Sequence, residues 1–124
     1  MVLINNINSW IENLRGSNKI IIVEGKKDKH ALELLGIKNI ITLNKPLFEI
    51  VENISSNYKE CVLLTDLDKK GKILYSKLKK DLQRNGVKTN DNFRNFLYKR
   101  TNLTNIEGLL TYYNNTNQKS LLFP

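Results

Sequence analysis

The sequence predicts an α/β protein: a parallel sheet with helices on both faces. Three observations lead there. Short apolar runs, such as Ile-Ile-Ile-Val at 20–23 and Cys-Val-Leu-Leu at 61–64, have the length and continuity of strands buried on both sides. Segments that read as helices alternate with the strands in the order βαβαβα. Two of the apolar runs end in carboxylates and then a glycine, which puts charge at the carboxyl end of a strand. Open α/β sheets place their ligands along that edge.

Asn8 or Ser9 can cap a first helix that runs to about Leu14 and ends at Gly16. Residues 19–23 are the first strand. Residues 27–35 are a helix closed by Gly36, and residues 39–43 are the second strand. Pro46 fits the first turn of a helix that runs to about Asn53. Residues 60–65 are the third strand. Residues 68–84 form the longest helix, ended by Asn85-Gly86. Right-handed crossovers restrict how these strands can be ordered. Asp91 and Asn92 are good N-caps, so residues 93–99 are read as a helix rather than a short strand. Residues 104–113 read as a final helix with Ile106, Leu109, Leu110 and Tyr113 on one face. The last ten residues are expected to be a tail in which Leu121, Leu122 and Phe123 could dock. No repeat or linker is visible. One domain is expected over residues 1–124, with a core at 19–86, a C-terminal helical segment at 91–113 and a tail at 114–124.

A chain of 124 residues, 40% of them hydrophobic, can bury a real core. It has no apolar stretch long enough for a membrane span, and no basic-then-apolar leader is visible, so a cytoplasmic protein is expected. The single cysteine, Cys61, lies in a strand and reads as a small buried hydrophobe. The net charge is +8 and uneven: residues 1–62 carry 8 basic and 7 acidic side chains, residues 63–124 carry 12 and 5. That excess either serves solubility or attracts a polyanion.

Glu24 ends the first apolar run and precedes Gly25, in Val-Glu-Gly-Lys-Lys-Asp. A glutamate there could cap the helix that follows, and the glycine permits a sharp turn or close approach to a ligand. Thr-Asp-Leu-Asp-Lys-Lys-Gly at 65–71 is the stronger motif. In an extended segment Asp66 and Asp68 point to one side and can share a hard cation. Mg²⁺ takes oxygen ligands from one or two carboxylates, waters and a substrate phosphate; Mn²⁺ is the alternative cation. Asp68 can also cap the long helix. Lys26, Lys27, Lys69, Lys70 and Lys72 directly after the carboxylates suggest a phosphate beside the metal. Cations at a helix N-terminus oppose its dipole, a conflict that a carboxylate cluster or a phosphate would offset. On the long helix Ile73, Leu74, Leu78 and Leu82 form a core stripe. Lys72, Ser76, Lys79 and Gln83 lie opposite, as a solvated face or a nucleic-acid track. His30, Tyr112 and Tyr113 read as surface or packing residues. Glu107, beside a helix-weakening Gly108, could reach the metal, and Arg94 and Arg100 are either phosphate contacts or surface residues.

These residues resemble the Toprim domain. That domain is shared by type IA and type II topoisomerases, bacterial-type primases, maturase-type ribonucleases of ribosomal RNA, overcoming-lysogenization-defect nucleases and recombination proteins of the RecR type. The likeness covers roughly residues 19–86, where the order, strand context and spacing of the two motifs agree. It is closest to the small stand-alone Toprim proteins of archaea and some bacteria, whose pattern also fits Thr42-Leu43 through Pro46-Leu47 and Ile106-Glu107-Gly108-Leu109. The resemblance implies a Rossmann-like sheet of about four parallel strands. It implies Glu24 as general acid/base in nucleotidyl transfer or phosphodiester hydrolysis, and Mg²⁺ on Asp66 and Asp68 with Glu24 beside them. No strand-passage gate or tyrosine domain of the topoisomerase kind is expected within these 124 residues, and one cysteine with one histidine cannot build a primase-type zinc module.

The function expected is Mg²⁺-dependent phosphotransfer on nucleic acid, RNA or DNA, including nuclease action on structured RNA. The lysines Lys26, Lys27, Lys69, Lys70, Lys72 and Lys79 would contact phosphate. The alternatives are a non-catalytic nucleic-acid-binding module recruited by a larger protein complex, and a small-nucleotide phosphohydrolase with a deep closed pocket.

Overall fold

The structure, a computed structural model, describes the backbone of residues 6–122 and the side chains of residues 6–115. The expected docking of Leu121, Leu122 and Phe123 lies outside those side chains. The elements are α1 (Ile7–Gly16), β1 (Ile20–Val23), α2 (Lys26–Leu34), β2 (Ile40–Thr42), α3 (Leu47–Asn57), β3 (Glu60–Leu63), α4 (Lys69–Arg84), β4 (Lys88–Asn90), α5 (Asn92–Arg100) and α6 (Leu109–Leu122). The four strands form one parallel sheet in the order β2-β1-β3-β4. That is the predicted fold class.

Strand alternation divides the interior in two. Ile21, Val23, Val62 and Leu64 face a layer that includes Trp10, Leu14, Leu32, Phe93 and Leu97 from α1, α2 and α5. Ile20, Ile22, Cys61 and Leu63 face Ile50, Val51 and Ile54 of α3 and Leu78 and Leu82 of α4. Cys61 is fully buried, and burial pushes its thiol up to about 12, so it packs as a hydrophobe.

Several boundaries differ from the sequence reading. The cap of α1 is Asn6, which exchanges bonds with Ser9 in a capping box. This start puts Ile7, Trp10, Ile11 and Leu14 on one buried stripe. Helix α3 extends to Asn57 because Ile54 continues the stripe of Ile50 and Val51. Strand β4 has no apolar signal of its own. It is an edge strand, Lys-Thr-Asn, reached through Gly86 in the left-handed region (φ +83°), and edges are commonly polar. Helix α6 begins at Leu109 rather than Thr104 and runs past Tyr113. Ile73, expected in the core stripe of α4, is 60% exposed; Gly71, Leu78 and Leu82 are that helix's buried residues. Among the described residues no helix is long and apolar enough to cross a membrane.

Helix α1 is fastened to α5 through one side chain. The buried Trp10 indole donates from Nε1 to the Phe93 carbonyl at 2.8 Å, and the two rings meet edge to face at 5.9 Å. Trp10→Phe removes this bond and part of the indole's buried packing. The variant is expected to lose about 1–3 kcal/mol of unfolding free energy in a urea titration. An unchanged midpoint would show that the bond contributes nothing.

Candidate active site

The strand order creates a switch point between β1 and β3. The chain leaves β1 for β2 on one side and later returns to the other side as β3. The two connections diverge above the carboxyl ends of β1 and β3, which opens a crevice there. Glu24 follows β1 directly. Beyond β3 the ladder continues one step, with the Leu64 amide donating to Ile22 O at 2.8 Å, and the chain then turns at Thr65 and Asp66.

One hydrogen bond joins the two motifs. The Asp66 amide donates to Glu24 Oε2 at 2.6 Å, across 42 residues of chain. Glu24 therefore does not cap α2. That task falls to Asp28, whose Oδ2 accepts from the Gly25 amide at 3.1 Å. Asp28 is 8% exposed and part of the carboxylate cluster, a position the sequence reading passed over as helix. Burial raises its carboxyl above the ordinary range; the Gly25 bond opposes this, and Glu24 and Glu107 add to it. Asp66 is pushed up to about 6, first by burial and then by Asp28 and Glu24. The Ile106 amide, 3.4 Å from Asp66 Oδ1, offsets part of that rise.

Asp68 caps α4, its Oδ1 accepting from the Gly71 amide at 2.7 Å, and its side chain lies at the surface. The loop between the two aspartates and Gly71 is closed tightly. Thr65 Oγ1 donates to the Gly71 carbonyl at 3.0 Å, and a Cβ at position 71 would lie 2.1 Å from Asp66 O. Only glycine fits there.

The C-terminal half holds this loop from outside. Arg94 is buried, and it donates from Nε to Thr65 O at 3.1 Å and from Nη2 to Asp66 O at 3.0 Å. Its guanidinium lies 4.3 Å from the Tyr75 ring centre and 5.3 Å from that of Tyr98. The Tyr98 hydroxyl also donates to Thr65 O, at 3.1 Å, and the Leu67 amide donates to Thr104 O at 2.8 Å. Burial, with Asp66 adding, raises the Tyr98 phenol and keeps it a donor. Arg94 was a candidate phosphate contact; it is instead committed to two carbonyls inside the fold. Nothing in its helix pattern marks it for burial.

The expected lysines divide. Lys26, Lys27, Lys69, Lys70 and Lys72 are exposed near the starts of α2 and α4, around the carboxylates. Lys79 is not on an open track: its Nζ pairs with Asp91 at 2.5 Å and donates to the Tyr75 hydroxyl at 3.3 Å. Glu107 is exposed, yet close enough to Asp28 to act on it electrostatically.

The donor set fits Mg²⁺ or Mn²⁺ in kind: carboxylate oxygens, two of them on groups raised by burial and by acidic neighbours. Among the described residues no three acidic, histidine or cysteine side chains already converge as a ligand group. The arrangement suits an ion that takes one or two carboxylates and keeps waters, rather than an all-protein cage.

A Toprim domain model matches residues 18–90. A UPF0292 protein of Methanocaldococcus jannaschii is 35% identical over 82% of this chain and 83% of its own length. Another from Pyrococcus abyssi is 40% identical over 91% and 86%. A solved structure of a protein from Aquifex aeolicus superposes with a TM-score of 0.78 at 38% identity, covering 82% of this chain and 96% of that one.

Crowding of carboxylates has a measurable sign. Burial first, then Asp28 and Glu24, push the Asp66 carboxyl up to about 6 from an ordinary 3.8, so the fold favours its protonated form more than the unfolded chain does. Its contribution is fully present below the ordinary value and is lost as pH rises through about 6. Asp66→Asn should therefore stabilise the metal-free protein at pH above that range by about 1–2 kcal/mol, after allowance for solvent screening. The gain should vanish in acid. Urea titrations of both proteins across pH check this, and a gain that does not change with pH would contradict it.

Proposed function

The chain belongs to the Toprim domain family, and on that premise we propose that it is a Mg²⁺-dependent phosphotransfer enzyme acting on nucleic acid by phosphodiester hydrolysis or nucleotidyl transfer. The observation that carries this reading is the bond from the Asp66 amide to Glu24. It ties the ends of β1 and β3 together at the switch point, where the two motifs must act jointly.

Asp66 and Asp68 would hold the metal, with Glu24 beside them. When bound, Mg²⁺ would neutralise phosphate charge and stabilise the attacking and leaving oxygens. The chain's own groups do the rest. Glu24 keeps Oε2 on the Asp66 amide, which fixes the carboxylate and leaves Oε1 to take or give a proton. Lys26, Lys27, Lys69, Lys70 and Lys72 draw the phosphate backbone toward that edge. Asp68 is exposed and Glu24 and Asp66 are only half-buried. Such an open edge suits a polymer better than a small nucleotide, which needs a closed pocket.

A second reading, a nucleic-acid-binding Toprim module without turnover, is favoured by the exposed lysines, since Lys26, Lys27, Lys69, Lys70 and Lys72 could hold a phosphate backbone without any metal. Kinetics separates the two. Glu24→Gln keeps an oxygen for the Asp66 amide but cannot carry the proton. It should cut Mg²⁺-dependent cleavage or transfer by about 10²–10⁴-fold and leave nucleic-acid affinity level or slightly raised. A fully active variant would remove Glu24 from the chemistry. A wild-type protein that binds nucleic acid but turns nothing over with Mg²⁺ or Mn²⁺ would establish the module instead.

A further inference from the structure

A groove of about 330 Å³ opens between α2 and the start of α6. Ala31, Leu34 and Leu110 give it an apolar lining, and Lys26, Lys27 and Glu107 bring charge to it. Leu34 is 57% exposed, whereas Leu32, the other large apolar residue of α2, is fully buried. The groove adjoins the carboxylate site. Lys26 and Lys27 follow Glu24-Gly25 without a gap, and Glu107 is within electrostatic range of Asp28. Among the described residues neither lysine is ion-paired.

Apolar walls next to two open ammonium groups, which outnumber the single carboxylate of Glu107, complement a ligand that is flat and apolar on one side and anionic on the other. An unstacked nucleotide has that form. Its base can lie against Ala31, Leu34 and Leu110 while its phosphate meets the lysines. A duplex does not, because it keeps its base faces stacked inside and turns its charged backbone outward. An apolar peptide would satisfy the leucines and leave the lysines without a partner.

We propose that this groove seats the base of an unpaired nucleotide beside the reacting phosphate, so that the substrate is a single strand or an unpaired stretch of nucleic acid. The proposal rests on the nucleic-acid reading above and narrows it.

The test uses Leu34→Ser, which removes apolar surface without adding charge at an exposed position, and Leu34→Met, which keeps that surface. Fluorescence anisotropy is measured with a labelled single strand and a duplex of equal length, at one salt concentration, with sedimentation velocity on the same proteins. Leu34→Ser should weaken the single strand by about tenfold, the scale of losing part of a leucine's buried apolar surface. Duplex affinity should hold, and Leu34→Met should match wild type on both. Equal weakening on both probes, or no change on either, overturns the base seat. So does a wild-type dimer that Leu34→Ser dissolves at unchanged nucleic-acid affinity, since the groove would then hold a second copy. If wild type binds neither probe at low salt, the nucleic-acid reading fails and the seat fails with it.

Discussion

The backbone of Asp66 is the constraint on which the rest of the site depends. Its N–H is held by Glu24 after β1, and its carbonyl by Arg94 from α5. The same carbonyl is approached so closely by α4 that position 71 can carry no side chain. Three elements distant in sequence therefore meet at the backbone of one residue. The loop that carries Asp66 and Asp68 cannot move without breaking a bond to one of them. This fastening explains why a segment beyond the two acidic motifs belongs to the site: α5 and residues 104–106 supply the outer partners of residues 65–67.

Such fastening is needed because the loop is electrostatically unfavourable. Burial raises the carboxyls of Asp28 and Asp66, and acidic neighbours add to it: Glu24 and Glu107 on Asp28, Asp28 and Glu24 on Asp66. The Arg94 guanidinium answers from behind, between two tyrosine rings, on the carbonyl side of the same peptides. It leaves the carboxylates themselves unpaired by any cation among the described ion pairs. A site that holds like charges together at a loss to stability is the pattern expected where a cation and a phosphate complete the charge balance. The two apolar layers offset that loss, anchored by β1 and β3, whose side chains alternate between them.

What was legible in the sequence was local and periodic. The runs at 20–23 and 61–64 announced buried strands by their length and apolarity, and the carboxylates after them lie where the ends of β1 and β3 meet. Gly36 and Gly86 marked helix ends and sit at φ +80° and +83°. What was not legible depended on partners far along the chain. Strand β4 is polar because it lies at the sheet edge, so its residues resemble a loop. Arg94 looks like any surface arginine until its two carbonyl acceptors, nearly thirty residues away, are seen. Lys79 continued a plausible basic face, but the pairing with Asp91 depends on how β4 returns beside α4. Asp28 lay inside the quoted motif, yet its role follows from the turn at Gly25, which brings its carboxylate back onto the backbone. Ile73 matched a helical stripe by spacing, while the close approach of Gly71 to Asp66 rotates α4 so that position 73 faces solvent.

The central claim is that the two acidic motifs form one divalent-metal site at the β1–β3 switch point. Crystals of the wild-type protein soaked in Mn²⁺ test it most directly, because Mn²⁺ is located by its anomalous scattering independently of any activity. The account predicts an anomalous peak in contact with the Asp66 carboxylate and flanked by Glu24 and Asp68. It also predicts that the peak is absent from crystals of the Asp66→Asn, Asp68→Asn double variant. A peak elsewhere on the surface, or no peak beside Asp66 at saturating Mn²⁺, would contradict it.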